Sequence, residues 1–372
     1  MTGWLGWPFF EERHRVLADC VERWCAGRDF SHGRDVDAAC RTLVADLGGA
    51  GLLQPCIEPD VRSLAISRAT LAAHSGLADF AFAMQGLGSG AIAIAGSEAQ
   101  RAQWLPEVAV GKAIAAFALT EPETGSDAAN IAMSARREGG GWRLSGEKSY
   151  ISNGTIADVL TVFARTGGEG HAGISAFIVR GDAPGLTVAE RIRVIAPHPL
   201  ARLRFEEVPA ELIGQPEQGF RIAMQTLNRF RVSVAAAALG FARRALAEAI
   251  AFTSTRKLGK ATLADNAVTQ AGLAEMALGN DAAALLIARA AWAQDTQPGD
   301  PRRAAAMAKL HATESAQKVI DMAVQLHGGA GVTCGVKVEE LYREIRALRI
   351  YEGASEVQRQ IIARDLVREH RG

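Results

Sequence analysis

Among the residues of this chain that could do chemistry, Glu352 stands out by its setting. It lies in a Tyr-Glu-Gly turn, Tyr351 to Gly353, inside LYREIRALRIYEGASEVQRQIIARD (residues 341–365). A carboxylate in that position could take a proton from a substrate that comes close. Gly353 leaves the space beside it free and can adopt backbone angles closed to other residues. Leu341, Ile345, Leu348 and Arg349 recur at helical spacing before the turn, and Ser355 and Gln358 have the spacing of a capping box that opens a last helix after it. The chain therefore predicts Glu352 at a helix-turn-helix corner. Taken alone, a turn glutamate is more often a solvated surface charge, so the rest of the sequence has to decide.

Other stretches suit anion or cofactor contact. FALTEPETGSD (117–127) approaches like a strand and ends in a Gly-Ser-Asp turn, offering hydroxyls and free backbone N–H groups to a flavin edge or a phosphate. QLHGGAGV (325–332) follows a helical run and holds more glycine than a helix C-cap needs, which allows the backbone to approach a diphosphate. GLGSGA (86–91) formally fits the dinucleotide pattern GxGxxA, but no strand precedes it and no βαβ unit surrounds it, so it reads as a helix break. GxSxG and P-loop patterns are absent.

The elements that must position these groups change period along the chain. Residues 9–112 show helical spacing, broken at Gly48–Gly51 and Gly86–Gly90. From about 142 to 209 short β-branched runs such as VLTVFART, ISAFIVRG and LARLRFEEV alternate with turns. Long Ala-rich helical runs return from Gly219, broken near 257–265 and 296–301. Helices, strands, then helices imply segregated domains, at 1–112, 113–218 and 219–372.

A compact chain of 372 residues buries about 75% of its unfolded surface, so a substantial core is expected. Lys plus Arg and Asp plus Glu both number 41, leaving no excess charge to draw the protein to nucleic acid or an anionic membrane. No unbroken apolar run reaches the length of a membrane span, and MTGWLGWPFF lacks the features of a signal peptide; a cytoplasmic protein is expected. The five cysteines form no CxxC pair and read as free thiols, and the eight histidines show no metal-ligand spacing, so no metal site is expected.

Taken together, LYREIRALRIYEGASEVQRQIIARD, FALTEPETGSD and GEKSYISNG (146–154) closely resemble the acyl-CoA dehydrogenase family, flavoenzymes that desaturate acyl thioesters between the α and β carbons. The resemblance covers nearly the whole chain and is thinnest before about residue 60, where the stretch between Pro55 and Arg62 is shorter than usual. It implies an α+β, mainly α fold: an N-terminal helical domain, a small central β-barrel or sandwich domain and a C-terminal helical bundle. It also implies FAD, an acyl-CoA substrate, a trans-2-enoyl-CoA product and electron-transfer flavoprotein as acceptor.

By the same resemblance Glu352 takes the α-proton while the β-hydride passes to flavin N5. In some relatives the base sits on the helix that here carries Phe230, which cannot serve. Phe117, Leu119, Thr120, Gly125 and Ser126 are similar to the segment beside the flavin ring, with Ser126 serving cofactor phosphates or substrate. Tyr150, Ile151 and Ser152 are similar to a second flavin-contacting triplet. Arg256 resembles the arginine that reaches the FAD pyrophosphate, although its loop is one residue short before Gly259 and Asn266 stands where glutamine is common, which alters the contacts expected of Leu258 and Asn266. Gln325, Gly328 and Gly329 resemble a segment that contacts the FAD of a neighbouring subunit, implying a homo-oligomer, a tetramer. Ala354 replaces the usual hydroxyl residue, while Glu356 is a cofactor contact.

On the substrate side fall Ser126, Asn228, Arg231, Tyr351 and Gly353, with Arg231 beside the thioester and CoA. The backbone N–H of Glu352 and a flavin ribityl hydroxyl would polarise the thioester carbonyl. Phe80, Ala83 and Leu87, on a helix that lines the acyl tunnel in this family, would shorten the pocket toward short or compact acyl groups. The same scaffold serves carrier-protein thioesters, acyl-CoA oxidases and flavin monooxygenases, the last with no need of Glu352. A flavin-free helical assembly protein would also keep the fold.

Overall fold

The structure, a computed structural model, describes residues 3–31, 33, 35–58 and 60–371; the outer limits of the expected terminal domains, residues 1 and 372, lie outside the described residues. Contacts divide the chain into two compact units that interleave along the sequence: Met1–Arg28, Asp60–Asp79 and Asn228–Gly372 form one, Asp29–Pro59 and Phe80–Leu227 the other. The division by chain order follows element type instead, which is why the two partitions differ.

The first unit is helical. It contains α1 (Glu12–Cys25), α4 (Val61–His74), the greater part of α7 (Gly219–Thr255), α8 (Ala267–Thr296), α9 (Arg302–His327), α10 (Lys337–Leu348) and α11 (Ser355–His370), with a two-strand hairpin of β8 (Lys257–Leu258) and β9 (Ala261–Thr262) before α8. Alanine governs the packing, because helices without bulky side chains can come close: a Cβ on Gly240 of α7 would lie 2.3 Å from the Ala69 carbonyl of α4. In α10 the amphipathic spacing is plain, with Val338, Leu341, Ile345 and Leu348 buried at three- and four-residue intervals. Asp295 of α8 closes the start of α4, accepting from the backbone N–H groups of Val61 and Arg62.

The second unit holds α2 (Val36–Gly49), α3 (Gln54–Ile57), α5 (Gly76–Ala95) from Phe80 onward, α6 (Glu98–Ala109) and a seven-stranded sheet. Its strands are β1 (Ala115–Ala118), β2 (Ser134–Glu138), β3 (Gly141–Ser152), β4 (Val159–Arg165), β5 (Ile174–Arg180), β6 (Leu186–Arg191) and β7 (Leu200–Ile213). They run in the order β1-β4-β2-β3-β7-β5, β6 adds to β7, and antiparallel pairing of β4 with β5 closes a small barrel. The fold class expected from the sequence is the one observed.

Two expectations need correction. Gly86–Gly90 do not break a helix: α5 runs through them without interruption. Gly88 is there for close approach, since a Cβ would lie 2.6 Å from the Ala115 and Ala116 backbone of β1, and its carbonyl accepts from Thr161 Oγ1 at 2.7 Å. GLGSGA is thus mid-helix and not a dinucleotide turn. Secondly, although no unbroken apolar run spans a bilayer, α5 and α8 are long and apolar enough by length and composition to do so, each with a mean hydropathy of 1.3. In α5 this reflects a core helix, with 83% of the stretch buried in the fold; in α8 it reflects alanine-rich packing on α9.

Candidate active site

Glu352 sits where the spacing predicted, between α10 and α11. The turn is held in an unusual backbone conformation: φ is +53° at Glu352 and +98° at Gly353. A non-glycine residue rarely adopts the left-handed region, and persists there when its surroundings over-determine it. Gly353 suits the position by its positive φ, and a Cβ there would also displace the Gln358 amide, 2.3 Å away. Gly353→Ala is expected to strain the turn by about 1–3 kcal/mol and to lower the melting temperature of FAD-loaded protein. An unchanged melting temperature would mean the turn can relax.

The capping box does not form. The N-cap of α11 is Ala354, with no side-chain cap; the Ser355 hydroxyl instead binds Glu314, which also pairs with Arg349 at 2.9 Å. Gln358 turns its Nε2 to the Gly353 carbonyl at 2.9 Å. The two side chains that have capping spacing are thus both engaged in fixing the turn.

Both carboxylate oxygens of Glu352 are buried and have no hydrogen-bond partner among the described residues. Other buried carboxylates are engaged: Asp79 with Arg68, Glu121 with Lys148, Asp295 with Arg62. Burial pushes the Glu352 carboxyl above the usual carboxylate range, while Arg68, Lys309 and Arg231 pull it back and Asp79 pushes it further up. Arg231 of α7, itself buried, donates from Nε to the Glu352 carbonyl at 3.3 Å and also binds Asn228. Tyr351 is 37% exposed, yet burial of its phenol raises that group strongly, with Arg68 opposing.

Three groups near the turn were not singled out from the sequence. Lys309 of α9 is fully buried and donates to the Gly353 carbonyl at 2.8 Å. Burial lowers its ammonium to about 8, with Glu352 opposing. Arg68 of α4 and Asp79 of α5 form a buried bidentate pair at 2.8 Å, and Arg68 also donates to Ser233 Oγ. The available signal was a charge on a buried stripe: Lys309 lies on the helical face of Ala305, Ala312 and Ala316, and Arg68 lies in a helix buried on nearly all sides.

In the barrel unit, Phe117 packs on Phe163 with ring centroids 5.0 Å apart, and Leu119 is buried. The Thr120 carbonyl accepts the Ser149 N–H at 2.9 Å, tying the loop to β3. Beneath it, Lys148 donates to the Leu119 carbonyl and to Glu121, both at 2.9 Å, while Glu121 accepts the N–H groups of Ala132 and Met133. Glu121 and Lys148 therefore fix the loop and leave Gly125 and Ser126 exposed beyond it. Tyr150 is 63% exposed with φ +56°, at an irregularity in the β3–β7 register that re-aims its side chain; Ile151 is buried and Ser152 half-buried beside it.

Residues expected at the phosphates fall in the helical unit. Arg256 and Leu258 are exposed, and the Arg256 guanidinium has no hydrogen-bond or ion-pair partner among the described residues. Asn266 caps α8, accepting from the N–H groups of Val268 and Thr269. Gly328 ends α9 with φ +59°; it, Gly329 and Gln325 are exposed, and a Cβ on either glycine would meet nothing within 4 Å. Ala354 is half-buried, and Glu356 faces solvent, where it pairs with Arg359 at 3.5 Å. Within the helical unit, the uncommitted guanidinium and open glycines are compatible with a dinucleotide phosphate and the partnerless Glu352 oxygens with a substrate; within the barrel unit, the exposed Tyr150 is compatible with a flavin ring. Among the described residues, no group of three or more His, Cys, Asp or Glu is placed to hold a metal.

Comparison with known proteins matches two regions of the chain to families: "Acyl-CoA dehydrogenase, middle domain" over 116–208 and "Acyl-CoA dehydrogenase, C-terminal domain" over 217–367. The "Short-chain specific acyl-CoA dehydrogenase, mitochondrial" of Bos taurus is 40% identical over 285 residues, covering 74% of this chain and 68% of that protein. The "Probable acyl-CoA dehydrogenase FadE25" of Mycobacterium tuberculosis is 34% identical over 396 residues, covering 99% and 100%. A solved glutaryl-CoA dehydrogenase from Mycobacterium smegmatis in complex with FADH2 superposes with a TM-score of 0.87 at 28% identity, over 96% of this chain and 95% of that one.

Proposed function

The chain belongs to the acyl-CoA dehydrogenase family, and from that premise we propose that it converts a short or compact acyl-CoA to the trans-2-enoyl-CoA with Glu352 as the base. It is an oxidoreductase of an FAD-dependent family. The observation that most supports the base assignment is the pair of buried Glu352 oxygens without a partner among the described residues, where Asp79, Glu121 and Asp295 are each paired with a cation. FAD, when bound, supplies the hydride acceptor. Glu352 takes the α-proton onto a carboxylate oxygen. Burial makes that oxygen a stronger base than a solvated one, and the nearby cations keep it ionised to a lower pH than burial alone would allow. Thr120, Ser126, Ser152 and Arg256 bind the cofactor in this reading, and Tyr150 covers one side of the ring. Arg231 holds the carbonyl side of the catalytic turn.

Acyl length is read from α5. Phe80 packs at a tilt of 37° on the half-buried His198 with centroids 4.4 Å apart, and Ala83 and Leu87 are buried on the same helix. A ring fixed by a second ring is a firm stop for an acyl chain, and the short-chain-specific relative agrees in kind. The test is anaerobic bleaching of the bound flavin by butyryl-, hexanoyl- and octanoyl-CoA. Butyryl-CoA is expected to bleach fastest. Bleaching by carrier-protein thioesters and by no CoA ester would overturn the substrate class. Phe80→Ala is expected to shift the preference toward octanoyl-CoA, and an unchanged length profile would remove Phe80 from the pocket. Electron-transfer flavoprotein as acceptor and assembly as a homotetramer belong to the same proposal; light scattering of the FAD-loaded protein checks the latter.

A further inference from the structure

We propose that Lys309 is a positioning residue for the reaction: from α9 it grips the Gly353 carbonyl and thereby fixes the turn that aims Glu352. The inference rests on reading Glu352 as the base.

Two successive left-handed residues need external support, and the turn receives it at two carbonyls. The Glu352 carbonyl accepts from Arg231 at 3.3 Å, a long contact, while the Gly353 carbonyl accepts from Lys309 at 2.8 Å and from Gln358 at 2.9 Å. Of the two donors to the Gly353 carbonyl, Lys309 is the closer and the charged one, and a charge-assisted bond is the stronger kind.

Packing does not account for a lysine there. An ammonium buried without a carboxylate partner costs several kcal/mol, and α9 is otherwise lined by alanine on that face. The hydrogen bond to Gly353 is the one Lys309 makes through its side chain among the described residues, and no carboxylate lies within ion-pair distance. The buried charge is thus directed at the residue after the base.

Around Glu352, Arg68 from α4 is paired with Asp79 from α5, and Glu314 of α9 is paired with Arg349. Glu356 of α11 is exposed. Arg231 and Lys309 remain as the cations not neutralised by a carboxylate pair, so Lys309 also favours the ionised form of Glu352. With its own value lowered only to about 8, Lys309 is cationic on the acid side of neutrality.

FAD-loaded Lys309→Met, Lys309→Arg and Glu352→Gln would be mixed anaerobically with the fastest of the three acyl-CoAs, and flavin reduction followed against substrate concentration and pH. Lys309→Met is expected to lower the limiting rate roughly 10- to 100-fold, as for a misplaced catalytic group, with little change in half-saturating concentration. Its acid limb should move to higher pH, because a cation beside Glu352 is gone. Lys309→Arg keeps the cation and should leave the limb in place, whatever its rate. A folded, FAD-loaded Lys309→Met with wild-type rate and limb would overturn the proposal, as would Lys309→Arg moving the limb equally.

If Lys309→Met did not fold, Gln358→Leu removes the other donor to the same carbonyl without changing charge. It should lower the rate and leave the limb unmoved, and a wild-type rate would overturn the clamp. Activity retained by Glu352→Gln would defeat the base assignment itself, separately from Lys309.

Discussion

Glu352→Gln is expected to abolish flavin reduction by acyl-CoA while the protein keeps its fold and its FAD. Glutamine has the shape of glutamate but cannot accept the α-proton, so the loss should reach at least the 10²–10⁴-fold typical of a general base. In the wild type the rate should fall on the acid side as Glu352 becomes protonated, at a pH above the usual carboxylate range because burial raises this group. The same shift has a consequence for stability. A carboxyl whose folded value is raised contributes stability below its unfolded value, and that contribution is lost as pH rises through the folded value. Above its folded value the wild type therefore carries the cost of a buried, unbonded charge. Glu352→Gln should melt at an equal or higher temperature there, with the advantage gone in acid. Anaerobic stopped-flow and melting curves across pH measure both parts. A variant retaining more than about a tenth of the wild-type rate, less than a general base should cost, would remove Glu352 from the mechanism.

The legible parts of this fold were those where a local pattern had a single physical cause. β4 and β5 are buried on both faces and read as unbroken β-branched runs, whereas β6, almost wholly exposed, carries no alternation to mark it. The Tyr-Glu-Gly corner was readable because amphipathic α10 stops before it and α11 starts after it. The capping box failed because Ser355 and Gln358 found tertiary partners, Glu314 and the Gly353 carbonyl, that outcompeted a local cap. Gly86–Gly90 misled in the same way: glycine signals a break in isolation but close backbone approach once β1 lies against the helix. The candidate site's residues differ in how local their signals are. Glu352, Tyr150 and Ser126 belong to local motifs, while Lys309 and Arg68 act across distances of 44 and 11 residues along the chain that no spacing rule covers.

The buried Arg68–Asp79 pair should be the most stability-sensitive feature near the catalytic turn. Both side chains are nearly inaccessible and they meet in a bidentate geometry, so the desolvation of each charge is offset mainly by the other. Removing one partner strands the second, and such changes cost about 3–5 kcal/mol. Arg68→Met and Asp79→Asn are each expected to show this loss in urea unfolding at fixed FAD concentration, a condition needed because bound ligand shifts the midpoint. The double variant Arg68→Met/Asp79→Leu, which strands neither charge, should recover most of it. The two single variants should also act oppositely on catalysis in whatever fraction remains folded. Loss of the Arg68 cation moves the acid limb of Glu352 to higher pH, and loss of the Asp79 anion moves it lower. Glu344, raised to about 7 by burial and next by Asp79, should fall toward the ordinary range in Asp79→Asn. Single variants that each cost less than about 1 kcal/mol, the range of an exposed pair, would show that water reaches the site and that the pair is not the electrostatic floor on which the turn is built.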